Sequence, residues 1–168
     1  MCTATIEGLD EPGESLTISS QPNALVLFNP VTSLVPLEKD GENIRAFQAR
    51  AERLGIEAEK ISPVHHVRAG IPPTIILFGT DDWLLEAARV FDERMHEHGN
   101  RSDLVTFEGY GHGFFNYGRD QNRPFVATLQ AVDDFLVDLG YLTGKGNVEE
   151  WLTARTKSDR RKSQPNAE

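Results

Sequence analysis

The stretch TIILFGTDDWLLEAARVFDERMHEHGNRSDLVTFEGYGHGFFNYG, Thr74 to Gly118, decides the fold. Thr74 to Phe78 and Asp103 to Phe107 are short, mostly apolar runs. Runs of this kind suit strands of a parallel sheet covered on both faces, where alternation is lost. Between them Leu84, Ala88, Phe91 and Met95 recur at i, i+4, i+7 and i+11, one face of a helix. Gly99-Asn100 supplies its stop. Strand, helix, strand is a βαβ unit, expected to be right-handed.

Working outward, Ala24 to Phe28 (ALVLF) reads as a third buried strand ending at Asn29-Pro30. Its connection to Thr74 is too long for a simple crossover and carries its own apolar stripe, Ile44, Phe47, Ala51 and Leu54, closed by Gly55. Downstream, Phe125, Leu129, Val132, Leu136 and Leu139 form another helical stripe. Pro124 falls in its first turn and Gly140 closes it. The expected class is α/β, three layers α/β/α around a short, mostly parallel sheet. After Leu142 the chain turns polar, so residues 1–142 read as the folded domain. Residues 143–168 read as a solvated, flexible tail, basic from Arg155 to Lys162, whose Trp151 could instead dock on the body or a partner.

The chain has 168 residues, a formal net charge of −9 and one cysteine, Cys2. The length suits one domain that buries a core without disulfides. The acidic balance argues against nucleic acid or an anionic membrane as main partner. No apolar run is long enough to span a bilayer. As written, the chain reads as cytoplasmic, since MCTATIEGLDEPGE lacks the basic and apolar regions of a signal peptide; a lost N-terminus could have carried one.

Two loops follow strands of the same sheet, at the carboxyl edge where open parallel sheets hold their sites. One carries Asp81 and Asp82, the other His112. A carboxylate there can hold the imidazole tautomer through one ring nitrogen and leave the other to take a proton. Either aspartate could instead cap the next helix, so that one caps while the other serves. His112 could equally be a loop histidine bonded locally. Trp83, Tyr110, Phe114 and Phe115 could line a substrate pocket or simply pack around the loops. His65-His66 and His96-x-His98 do not make a metal site, because residues two apart point to different helix faces and no spaced carboxylates or cysteines complete one. GYGHG lacks the third glycine of a dinucleotide fingerprint.

SPVHHVRAGIPPTIILFGTDDWLL followed by FEGYGHGFFN resembles the C-terminal part of an α/β-hydrolase, in the acetylesterase-like branch of the esterases and lipases. The resemblance runs from about Ala24 to Leu142. It maps Gly79, Thr80 and Asp82 onto the turn that bears the family's acid, and Gly111, His112, Gly113 and Phe114 onto the loop that bears its base. It implies a partial α/β-hydrolase fold, a small ester substrate, Asp82 and His112 as catalytic residues, and no metal or organic cofactor. The family's serine elbow, G-x-S-x-G, precedes both. None of Ser15, Ser19, Ser20, Ser33, Ser62, Ser102, Ser158 and Ser163 has glycines at both spacings, and no HGGG-type loop is present. MCTATIEGLDEPGE resembles the helix and loop after the elbow. The expectation is a carboxylic-ester hydrolase represented by its acid- and histidine-bearing part, with no nucleophile in this chain and little activity alone. One alternative is a non-catalytic binding or assembly module that self-associates, or takes strands from a partner, through the edge of the first strand. A peptidase of the prolyl-oligopeptidase type is a further alternative.

Overall fold

A computed structural model describes residues 1–8, 11–15, 17–37, 42–53 and 55–163, with the side chains of 42–46, 50 and 156–163 outside the description. The elements are α1 (Cys2–Thr5), β1 (Leu25–Phe28), α2 (Glu42–Arg53), β2 (Thr74–Gly79), α3 (Leu85–Glu97), β3 (Ser102–Phe107), α4 (Arg123–Asp138) and α5 (Val148–Ser163). Two 3-10 turns, Ala58–Ile61 and Pro63–His66, lie between α2 and β2. The chain divides into two compact units, Met1–Phe114 and Phe115–Glu168. That division differs from the change of character read after Leu142.

In the first unit the strands form one parallel sheet in the order β1-β2-β3. Leu25 stands beside Thr74 and Phe28 beside Leu77; Thr74 stands beside Ser102 and Gly79 beside Phe107. The central strand, β2, is buried at all six positions, which is why its sequence is apolar without alternation. β1 is an edge strand with Val26, Leu27 and Phe28 only half-buried. Its sequence is as apolar as that of β2, so its composition asks for more cover than this sheet gives it.

The core joins Ile76 and Phe78 of β2 to Leu84, Leu85, Ala88, Phe91 and Met95 of the α3 segment, with Val64 and Ile71. Fully burying Phe91 or Met95 contributes roughly 1.5–3 kcal/mol each. α3 ends as its sequence predicts. Gly99 takes φ +72 and donates its N–H to His96 O, while Asn100 N–H reaches Met95 O. Asn100 then enters the interior. Its Oδ1 accepts the N–H groups of Gly70 and Ile71, and its Nδ2 donates to Arg68 O, fixing the chain's entry into β2.

The long β1–β2 connection is pinned by side chains. Ser62 Oγ donates to Ala58 O and accepts Leu34 N–H, and Arg94 reaches Val64 O from α3. Of the stripe expected on α2, Ala51 is buried and Phe47 half-buried; the side chain of Ile44 and all of Leu54 lie outside the described residues.

In the second unit, α4 closes with Gly140 at φ +78 donating to Val137 O and Tyr141 N–H reaching Leu136 O. Its most enclosed positions are Pro124, Thr128 and Phe135, one residue off the expected stripe. Where the sequence was read as a flexible tail, Val148–Ser163 forms α5, opened by Glu149 and Glu150 in its first turn. A mostly charged segment with good helix formers can be helical without an apolar face. Trp151 is exposed there, with the Arg155 guanidinium 5.2 Å over its ring.

Candidate active site

The site is built where β2 and β3 end. Gly79 closes β2, and a Cβ placed on it would overlap the carbonyl oxygen of Tyr110. Only glycine allows this approach. The two loops are then stitched together: Thr80 N–H donates to Phe107 O, Asp81 N–H to Tyr110 O at 3.0 Å, and Gly109 N–H to Thr80 Oγ1 at 2.8 Å.

Asp82 and His112 meet across this seam. Asp82 Oδ2 lies 3.0 Å from His112 Nδ1. The aspartate side chain is fully buried, and the histidine side chain is about half exposed at 52%. An ionised carboxylate only accepts, so Nδ1 carries the proton and Nε2 keeps its lone pair. Among the described residues Nε2 has no hydrogen-bond partner. The pair thus presents an oriented imidazole nitrogen to solvent, with a buried carboxylate behind the ring.

No side chain caps α3, and the two aspartates differ in burial: Asp81 is exposed, whereas Asp82 is buried. Its Oδ1 accepts Leu84 N–H at 3.0 Å, closing the turn into α3, while Oδ2 faces His112.

Trp83 is 41% exposed, 6.4 Å between ring centres from His112, and stacked on Phe47 of α2 at 5.7 Å. Phe114 is enclosed between Phe107 and Tyr110, at 5.0 and 5.5 Å. Its position favours packing over a pocket wall. Phe115 begins the second unit. Phe47 was read only as a core position and Asn29 only as a turn residue, yet Asn29 Oδ1 accepts the N–H of Gly113, beside His112. Such long-range pairings leave no local periodicity to find.

His65 faces Glu59 at 3.9 Å, His66 Nε2 lies 3.2 Å from Glu59 O, and His96 faces Asp92 at 3.8 Å. Burial pushes the His65 imidazole below its ordinary value; Glu59 opposes this, and Arg94 and His66 add to it. Among the described residues no group of three or more His, Cys, Asp or Glu side chains could hold a metal ion. None of the described helices is long and apolar enough to cross a membrane.

A sequence model described as the alpha/beta hydrolase fold matches residues 11–116. Among solved structures, the propionate-bound thermophilic esterase Est2 of the planctomycete Thermogutta terrifontis is similar. It is 46% identical, with a TM-score of 0.73, over 86% of this chain and 53% of that one. Its butyrate-bound form gives 47% identity and 0.73, over 86% and 54%. The esterase phosphonylated by sarin gives 44% identity and 0.75, over 86% and 54%. The chain therefore spans about half the length of these structures. No curated protein matches the sequence.

Proposed function

The chain belongs to the alpha/beta hydrolase fold family, and from that premise we propose that it supplies the acid–base pair of an ester hydrolase. The observation that carries the reading is the 3.0 Å contact between a fully buried Asp82 and a half-exposed His112. The nucleophile is a serine outside these 168 residues, which contain no G-x-S-x-G. His112 Nε2 takes the proton of that hydroxyl as its oxygen attacks the ester carbonyl. It returns the proton to the departing alcohol, leaving an acyl-serine. Water then enters by the same steps in reverse, releasing the acid and restoring the serine. Asp82 holds Nδ1–H throughout and balances the imidazolium. Short acyl esters are the substrate class, in keeping with the propionate and butyrate bound by the similar esterase.

The test is turnover of p-nitrophenyl acetate by two proteins. One is the chain alone. The other is the chain fused behind the part of the Thermogutta esterase that lies outside the match. The fusion should turn over, and His112→Ala should lower kcat/KM by about 10²–10⁴-fold. The chain alone should show no turnover that depends on His112. A folded fusion without activity, or with activity indifferent to His112→Ala, sinks the acid–base assignment. Turnover by the chain alone that His112→Ala removes sinks the external serine.

A second reading is supported by β1, an apolar edge strand with three half-buried residues. An edge of this kind favours assembly with a second strand-bearing chain. It requires a stable oligomer, and a monodisperse monomer in size-exclusion chromatography would remove it.

A further inference from the structure

Asn29, the first residue after β1, combines two bonds that hold its place with a backbone conformation and a buried amide that cost stability. Its backbone takes φ +43, in the left-handed region that side chains rarely adopt. It is buried, at 6% exposure. Its own N–H extends the β1–β2 ladder to Leu77 O at 3.0 Å. Its side-chain Oδ1 accepts the N–H of Gly113 at 3.1 Å, 84 positions along the chain. A backbone N–H can only donate, so the oxygen must face it and the amide cannot be flipped. Nδ2 is then buried with no hydrogen-bond partner among the described residues. Strain and an orphaned donor held at one residue point to a geometric task rather than to packing.

The task is visible in the His112 loop. Upstream of the histidine, Gly109 and Tyr110 are tied to Thr80 and Asp81 at the end of β2. Downstream, Gly113, at φ +72, is tied to Asn29 at the end of β1. His112 sits between these anchors, and its Nδ1 lies 3.0 Å from Asp82 Oδ2. We infer that Asn29 is a positioning residue for His112, locking the loop's downstream side so that the Asp82 contact and the imidazole tautomer persist. This rests on the reading of His112 as the general base.

The test uses the 168-residue chain and reads no turnover, so failure of ester hydrolysis and failure of this inference are distinct. Two signals are followed by NMR at pH 8: hydrogen exchange of the Gly113 amide, and the ¹⁵N shifts of the His112 ring, assigned with His112→Ala. Asn29→Gly keeps the left-handed backbone and removes the anchor. It should speed Gly113 exchange at least about tenfold, the scale of one lost hydrogen bond. It should also move the ring from a single Nδ1–H tautomer to a mixture. Asn29→Asp keeps the accepting oxygen and removes the orphaned donor, and it should restore both signals. Wild-type ring shifts in Asn29→Gly overturn the inference, even if exchange accelerates, because the residue would then anchor backbone alone. Should Asn29→Gly fail to fold, Asn29→Ser, whose side chain is too short to keep the Gly113 bond, takes its place: a folded variant that keeps the single tautomer overturns the inference, and a mixture of tautomers supports it.

Discussion

Asp82 gives one carboxylate oxygen to the His112 ring and the other to the backbone of Leu84, each at 3.0 Å. The start of α3 therefore orients the carboxylate, and the carboxylate orients the imidazole ring. Asp82→Asn separates these roles. The amide oxygen can keep the Leu84 N–H, which leaves the NH₂ group facing Nδ1. The ring must then move its proton to Nε2, the nitrogen that should accept. We expect the ¹⁵N shifts of His112 to invert while the fold is retained. In the serine-complemented fusion, kcat should fall by about 10⁴-fold with little change in KM. An unchanged tautomer in the folded variant would contradict the assignment.

Gly79→Ala should be among the most damaging single-methyl additions in the first unit. Its Cβ would meet the backbone of Tyr110 rather than the end of a flexible side chain. Either β2 or the histidine loop has to move. A destabilisation of about 1–3 kcal/mol is expected, read as a lower Tm, with loss of the Asp81–Tyr110 bond. Gly111→Ala is the control, since nothing lies within 4 Å of a Cβ there. Equal Tm losses for the two variants would show that the close approach is not what the glycine serves.

The three strands and α3 were legible because their signals are local. β2 is apolar without a break from Ile75 to Phe78 because every position is buried, and α3 announces its face by spacing and its end by Gly99-Asn100. The Asp82–His112 pair was legible because a parallel sheet brings the ends of adjacent strands to one edge. Asn29 was not, since an Asn-Pro pair reads as a turn and its partner is 84 residues away. Motif register separated Asp82 from Asp81, but the bond from Leu84 N–H to Asp82 Oδ1 was hidden, because only the turn geometry shows it. α5 was missed because its charged surface gives no apolar period.

Trp83 provides an optical view of the site. The sequence has two tryptophans, Trp83 and Trp151, so Trp151→Phe leaves Trp83 as the only indole. Its ring centre is 6.4 Å from that of His112. The ring is close enough to contribute to the surroundings of the indole. Adding His112→Ala to Trp151→Phe should therefore change the emission of Trp83 at a fixed pH. Identical emission from the two variants would mean that Trp83 does not sense the ring. Phe47→Ala, which removes the stack on the other side of Trp83, should raise its exposure to a soluble quencher such as acrylamide.

His65 sets a pH dependence separate from the site. Burial lowers its imidazole pKa from the ordinary 6.5; Glu59 pulls the other way, and Arg94 and His66 reinforce the lowering. The unfolded chain thus takes up a proton near pH 6.5, which the folded chain accepts only at lower pH. Between those two values the unfolded state binds more protons, so stability falls as pH falls and levels off below the folded pKa. His65→Phe removes this proton while keeping an aromatic ring, and costs little bonding, because Nε2 is buried without a hydrogen-bond partner among the described residues. The variant should lose less Tm than the parent between pH 7.5 and pH 5, with the other titrating groups common to both. Parallel Tm–pH curves would show that the folded protein protonates His65 as readily as the unfolded chain does, and that its burial carries no electrostatic cost.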